Sequence, residues 1–583
     1  MVKNQEQAIQ VKELLETLLE AVCEIQNFLV NDQLKDFHEL SFEIKEILTQ
    51  LKSVAESQRD DEVYAELEKS LINCIVSLER IIKYAKYNKE KAMQKIEFEL
   101  WPLLRCTHVR FYFSALIYPD KEKMQQWYRT EGNDLCKNYY LEDAKKTGKY
   151  KYDISIIIVG YNKVEYTKLC VENVLKNIPQ NLKCELILFN HGSSDGTKEY
   201  FESICPTKQI DLEVNGAGTK CIYFVSEGKY VLSISNDVIV TPNSIEIMYE
   251  ALENDKQIAN AVPMTSNVSN LQAPLFLENG GINTCIDRYG NFEELDKITR
   301  KHNIYNKDRE EMRFRLCDPL SITRNDCYSI QEDVSLYALL LSQGYQLMFP
   351  DDFISMHFRR LGYKNVLLKD IYCHHFGSVT IGDLKLKTKD YGDGRKKFLE
   401  TNGIDPWGKG YCWTYELFNK LLCNKADSER ILGINCGMGS DILKIQQEIK
   451  QNTGNGDVKI INFTDRQRYV SELKGISEDV YKHKGWNDII DRLEGKYDYI
   501  LVGDRIEESM PYQDNISELY KHVSVGGKII IFVPETRSNI KKWIKDTYEG
   551  VTETESCDIV YEIDDTLTSD MPQKGNYLIW SKI

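Results

Sequence analysis

The sequence of 583 residues has no Cys-x-x-Cys pair among its 16 cysteines. That removes zinc ribbons and a disulfide framework, and leaves the thiols as reduced, mostly buried small apolar groups. Long apolar runs are also missing. Aromatic and aliphatic stretches such as FYFSALIY at Phe111–Tyr118 fall far short of the roughly 20 residues a membrane-spanning helix needs. No apolar segment follows the early lysine of MVKNQEQAIQ, so no secretory signal is expected and the compartment is read as cytoplasmic. Basic charge is in deficit: 74 Lys and Arg face 90 Asp and Glu, a net charge of −16. This argues against sequence-independent attraction to nucleic acid or to an anionic membrane surface. There is no low-complexity tract and no repeat at the periods of about 20–50 residues that mark solenoids.

Glycine and proline are next to absent before Pro102, and what fills that stretch is helical. Apolar residues recur at three- and four-residue steps: Val11, Leu14, Leu15, Leu18, Val22, Ile25 and Leu29, then Phe42, Ile44, Ile47, Leu48, Leu51 and Val54. A third set runs Val63, Leu67, Leu71, Ile75, Leu78 and Ile82. With breaks at Asn31-Asp32 and Arg59-Asp60-Asp61, residues 1–100 read as a bundle of about three helices. Its expected role is a cap or an oligomerisation arm, through which the chain would form a homo-oligomer. Residues 101–151 read as a helical connector.

From Asp153 the pattern changes to β-branched runs alternating with helical ones: ISIIIVGYN, YTKLCVENVLKNI, CELILFN, TKEYFESI. Strand, helix, strand, helix implies a parallel sheet with right-handed crossovers. Ligands of such sheets bind outside the carboxyl ends of the strands. In SISNDVIVTP, Ser233–Pro242, the pair Asn236 and Asp237 interrupts two apolar runs. The pair closes a turn or delivers a carboxylate to that crevice. A second alternation starts at Glu429, with RILGINCGMG, SDILKIQQEIK, DVKIINFTD and YDYILVGD. The Gly- and aromatic-rich residues between the two form a joint. The expected division is therefore 1–100, 101–151, 152–400, a linker at 401–428, and 429–583.

Five segments in order, SIIIVGYNKVEYTKLCVENVL, ELILFNHGSSDGT, GKYVLSISNDVIVTP, PMTSNVSNLQ and PDDFISMHFRRLGYKN followed by DIYCHHFGS, resemble family 2 glycosyltransferases. These are nucleotide-sugar enzymes of the GT-A fold, and the likeness spans about two-fifths of the chain. The resemblance implies an inverting, metal-dependent transferase. A divalent cation, Mn2+ or Mg2+, neutralises the departing diphosphate, and a carboxylate deprotonates the acceptor hydroxyl. It implies Asp237 and His374 as metal ligands, and Tyr161, Asn190, Asp195, Asn236 and Asp237 as nucleotide contacts. Asp351, with Asp352 beside it, stands at the base position. Glu332 and Asp333 have the same spacing to a Gly-Tyr pair and are rivals. Arg359 and Arg360 either face phosphate or solvate a helix surface. Ser235 stands where the family carries a first Asp, and Asn190 where it carries an acid for uracil; Asn offers both donor and acceptor to an imide edge. The implied donor is a UDP-sugar such as UDP-GlcNAc, and the implied acceptor a protein or glycan hydroxyl, flagellin being one candidate.

Residues 429–583 resemble a class I methyltransferase, a Rossmann-like sheet for S-adenosylmethionine. The resemblance is damaged: Gly433 replaces an acid and Asn435 the first glycine, leaving Gly437 and Gly439, with Asp465 as a loose ribose partner. A degenerate domain is expected over an active methyltransferase. A bifunctional glycosyl and methyl transferase, or a non-catalytic scaffold, are the alternatives. The expected fold class is α/β: a GT-A sheet preceded by a helical bundle and followed by a Rossmann-like domain.

Overall fold

The periodic segments form helices Gln5–Val30, Leu34–Ser57 and Glu62–Ala85, interrupted at both expected breaks. A computed structural model of the chain describes residues 4–127, 129, 132–215, 219–268, 271–273, 292–306, 310–327, 350–377, 379, 398–399, 404, 413–503, 512–559 and 573–583. Asn4 and Asp61 cap the first and third helices, accepting from Gln7 and Val63 backbone N–H groups, which satisfies donors a helix start leaves open. The helix Trp101–Tyr112 follows, and Leu103, Leu104, Phe111, Phe113 and Trp127 share one core with the first three helices.

That core does not end at the helices. The strands β1 (Tyr152–Gly160), β2 (Cys184–His191), β3 (Lys208–Leu212), β4 (Gly228–Ser235), β5 (Val238–Ile239), β6 (Ile258–Thr265), β7 (Glu310–Arg313), β8 (Leu320–Arg324) and β9 (Lys364–His375) make one sheet. Successive side chains of a strand point to opposite faces. Ile157, Ile187, Phe189 and Val231 accordingly join the core of the N-terminal helices. Ile154, Ile156, Ile158, Leu186, Leu188 and Leu232 face the other side, against Cys170, Val171 and Val174 of helix Val164–Asn177 and Ile245, Met248 and Ala251 of helix Ser244–Asn254. The sheet is thus the middle of three layers.

The strand order is β3-β2-β1-β4-β8-β6-β9-β5, with β7 also on β9. β3, β2, β1 and β4 run parallel, and β8 is antiparallel to both β4 and β6. β6 therefore runs with β4, and β9 pairs parallel to β6. The carboxyl ends of β1, β2, β4, β6 and β9 reach the same border of the sheet. At the opposite flank, the exposed bonding edge that β3 would present is met by helix side chains: Arg80 donates to Asp211 O at 3.0 Å, and Asn73 accepts from the Glu213 and Val214 amides.

A second sheet holds β10 (Arg430–Ile434), β11 (Lys459–Thr464), β12 (Asp479–Lys482), β13 (Tyr497–Val502), β14 (Val523–Pro534), β15 (Thr552–Glu553), β16 (Cys557–Ile559) and β17 (Gln573–Ser581). Its order is β12-β11-β10-β13-β14-β17-β15, with β16 on β17. β10 to β14 are parallel and β17 is antiparallel, a doubly wound sheet with a reversed strand at one side. Of the residues leading into it, Leu417, Leu421 and Cys423 pack into its core.

Candidate active site

Asp237 lies two residues past the end of β4 and is 6% exposed. The chain turns at Asn236 and Asp237 and enters β5, which pairs antiparallel with the end of β9, Val238 opposite His375 and Ile239 opposite His374. This register sets His375 Nε2 3.4 Å from Asp237 Oδ2. Asn236 donates to Asn162 O at 3.1 Å and to Thr167 Oγ1 at 2.9 Å. It ties the end of β4 to the start of helix Val164–Asn177.

His374 is fully buried, and burial pushes its imidazole down to about 4, with neighbouring His375 adding to the shift and Asp237 opposing it. Its Nδ1 lies 3.0 Å from Ser266 Oγ and 3.2 Å from the Tyr372 hydroxyl. Ser266 donates its one proton to His375 O and accepts from His375 N–H, so its oxygen can take Nδ1–H as well. That assignment, inferred from the bonding network, leaves Nε2 with a bare lone pair, and Nε2 has no hydrogen-bond partner. A buried acceptor without a partner, backed by an oriented second nitrogen, is how a metal-ligating histidine is prepared. The pair Asp237 and His375, with His374 behind it, fits the donor set of one divalent cation. Among the described residues no group of three or more His, Cys, Asp or Glu side chains is placed to hold a metal ion. Any cation here would draw further ligands from outside the chain, as Mg2+ commonly does. The motif resemblance singled out His374; the register of β5 on β9 sets His375 nearer the carboxylate.

Asn190 ends β2, 1% exposed, and its Oδ1 accepts from Ser193 N–H at 3.0 Å. Tyr161, just past β1, lies with its ring centroid 6.4 Å from that of His191. Gly192, at φ 79°, lets the loop turn here: a Cβ on it would come within 2.6 Å of Asn215 N. Asp195 has both oxygens engaged. Oδ2 accepts from Val164 N–H at 2.7 Å, and Oδ1 from the Thr197 hydroxyl at 2.6 Å and amide at 3.2 Å. It joins the starts of two helices, so a nucleotide contact would have to share those oxygens.

On the acceptor side, Asp351 and Asp352 open helix Pro350–Arg360. Asp352 is 1% exposed and pairs with Arg315 Nε at 2.5 Å. Asp351 is only partly buried, which keeps it reachable by an acceptor. Because the helix precedes β9 and packs back on it, its first turn lies toward the border where β9 ends. Glu332 and Asp333 lie outside the described residues. Arg359 and Arg360 both bind Glu472 of the second sheet's unit, at 2.6 and 2.9 Å.

Residues 155–318 match the family model Glycosyl transferase family 2. This part of the chain is a family 2 glycosyltransferase domain. The match takes in Asn190, Asp195 and Asp237 and stops before Asp351 and His374. Over 107 residues the chain is 29% identical to glycosyltransferase GlyG of Streptococcus pneumoniae serotype 4, covering 17% of this chain and 35% of that protein. The chain thus matches about a third of that relative's length. Among solved structures, GalNAc-T7 with UDP, GalNAc and Mn2+ is similar over 42% of this chain and 48% of its own, at 11% identity and a TM-score of 0.29. An rRNA methylase from Streptococcus thermophilus is similar over 28% of this chain and 92% of its own, at 12% identity and a TM-score of 0.20.

The glycine turn after β10 in the second sheet is closely packed by neighbouring side chains. A Cβ at Gly433 would fall 2.1 Å from Asn462 Oδ1 and 2.9 Å from Ile442 Cγ1, so no acid fits where a methyltransferase carries one. Asn435, at φ 51°, accepts from Asp465 N–H at 3.2 Å through an oxygen that also lies 2.8 Å from His483 Nε2. One carboxamide thereby bridges the ends of three strands. The acid and the first glycine of the methyltransferase pattern are thus missing from this turn, with Gly433 and Asn435 in their places.

Proposed function

We propose that the chain is an inverting, divalent-metal-dependent glycosyltransferase. It moves a sugar from a nucleotide diphosphate sugar of the UDP-GlcNAc type to a hydroxyl on a protein or glycan, with serine or threonine of flagellin as the first acceptor to test. The observation that carries the reading is the buried Asp237 carboxylate at the carboxyl border of the sheet, 3.4 Å from His375. Such a carboxylate is costly unless paired, and it stands where open sheets of this kind take ligands.

Asp237, with His374 or His375 as a second ligand, would hold Mn2+ or Mg2+, which when bound supplies positive charge against the departing diphosphate. Asn190, its Oδ1 tied to Ser193, would present its Nδ2 to a base carbonyl, with Tyr161 flanking it. Asp195 shapes the loop that places both. Asp351 takes the proton of the acceptor hydroxyl at its carboxylate, on the side of the sugar opposite the diphosphate, which gives inversion. No helix among the described residues is long and apolar enough to cross a membrane, and the proposal places the reaction in the cytoplasm.

The test is incubation with Mn2+ and a panel of nucleotide sugars, measuring released nucleoside diphosphate with and without acceptor. Release with one donor, lost in Asp237→Ala, is the expected result. Release that is indifferent to Asp237→Ala, or absent with every donor and acceptor, overturns the reading.

A further inference from the structure

The helix that carries Asp351 is gripped from two directions. Toward its own sheet, Ile354 and Phe358 pack with Ala259 and Cys327, and Asn365 Nδ2 donates to Ser355 O at 2.8 Å. Toward the second sheet, Phe353 and Met356 join Met438, Leu443, Tyr469 and Leu473 in a shared apolar cluster. At the helix's last turn Arg359 Nη2 and Arg360 Nε donate to the two oxygens of Glu472, whose side chain is 1% exposed. The Arg359 guanidinium also lies 4.3 Å from the Phe314 ring centroid. A carboxylate taking charge-assisted bonds from two guanidiniums is among the stronger and more directional contacts available to a side chain.

The partner surface is informative. Glu472 sits on helix Gln467–Lys474, which starts just beyond the end of β11. Met438 and Gly439 belong to the glycine turn after β10. A Cβ at Gly439 would meet Ile476 Cδ1 at 2.7 Å and Leu473 Cδ2 at 2.9 Å. The glycine turn is therefore packed under the helix that holds Arg359 and Arg360. A second contact, Lys444 to Glu311 of β7 at 2.8 Å, fastens the two sheets nearby.

We propose that Glu472 is a positioning residue of the transferase site: through Arg359 and Arg360 it fixes the axis of helix Pro350–Arg360 and with it the aim of Asp351 at the opposite end. An α-helix of 11 residues is about 16 Å long, so a small tilt at the last turn displaces the first. A misplacement of about 1 Å costs about 10²-fold in a positioned reaction. On this view the second sheet serves the glycosyl chemistry mechanically. The inference rests on the reading of Asp351 as base.

The experiment uses the full chain and Glu472→Gln. Hydrogen exchange is expected to quicken several-fold across residues 350–360 and to stay unchanged across 228–235. With UDP-GlcNAc as donor and water as acceptor, kcat is expected to fall about 10- to 100-fold, while KM and the affinity for UDP with Mn2+ hold. Glu472→Asp, which keeps the charge, should recover part of kcat. Unchanged exchange in 350–360, an unchanged kcat, or an equal loss of UDP affinity overturns the proposal. If Glu472→Gln does not fold, Arg360→Gln keeps the Arg359 contact and should show the same pattern at smaller size; no change in exchange and kcat there overturns it. A wild type that turns over no donor sinks the function reading instead, and the exchange measurement still decides whether Glu472 holds the helix.

Discussion

Two adjacent aspartates at the start of one helix differ in what they can do. Neighbouring positions on a helix point about 100° apart, and here one turns to Arg315 while its neighbour stays partly open. Asp351→Asn is expected to lower kcat by about 10²–10⁴-fold with little change in thermal stability. Asp352→Asn should instead lower the melting temperature, because removing one partner of a buried ion pair costs about 3–5 kcal/mol. Steady-state kinetics and calorimetry on both variants separate the two roles. Asp237→Asn is expected to abolish metal-dependent turnover and to weaken Mn2+ binding, read by titration calorimetry. The sequence alone showed an acid interrupting apolar runs at 237 and two candidate acids at 351 and 352. It could not distinguish the last two, since the partner Arg315 is brought in by the fold of a separate segment. His375 was likewise hidden, because its place beside Asp237 depends on a long-range strand register that no local pattern encodes.

Among elements, the loop after β2 depends on Asp195 for its shape. Asp195→Ala removes the acceptor for Val164 N–H and for Thr197, and losing such a cap costs about 0.5–2 kcal/mol. Donor KM is expected to rise more than kcat falls, since the change loosens a loop and leaves the reacting groups in place. The strands and helices themselves were legible from their periods: β-branched runs became β1, β2 and β4, and the three N-terminal helices break at the expected residues. What periodicity did not reveal was how β5, β6, β8 and β9 pair. β8 runs antiparallel between β4 and β6, so the sheet is not the simple parallel series that alternation suggests. Arg359 and Arg360 read as phosphate-facing or helix-surface charges for the same reason: their acid is more than a hundred residues away in sequence.

At the scale of the whole molecule, burial holds three histidines neutral. His108, His357 and His374 are each pushed down to about 4, burial being the largest cause in every case. A base with a depressed value in the fold binds fewer protons there than in the unfolded chain between about pH 4 and its ordinary 6.5. Stability therefore rises with pH across that window and is lost as pH falls through it. At pH 5 each of these groups should cost on the order of 1–2 kcal/mol, so the melting temperature is expected to drop on going from pH 7 to pH 5, measured by calorimetry at fixed ionic strength. Glu311 moves the same way at more acidic pH. Arg313 foremost, with Lys444 and Lys369, holds its carboxyl far below the usual range against burial, so the contact between the two sheets should outlast the histidines' contribution.

The three-layer arrangement also governs how the chain can be divided. Ile157, Ile187, Phe189 and Val231 belong to the interior of the N-terminal helices as much as to the sheet, so a fragment starting near residue 150 would bare a greasy slab to water. Such a truncation should precipitate rather than yield a minimal catalyst. On the ribosome, the first helices emerge before the strands that complete their interior, and they have to wait for them.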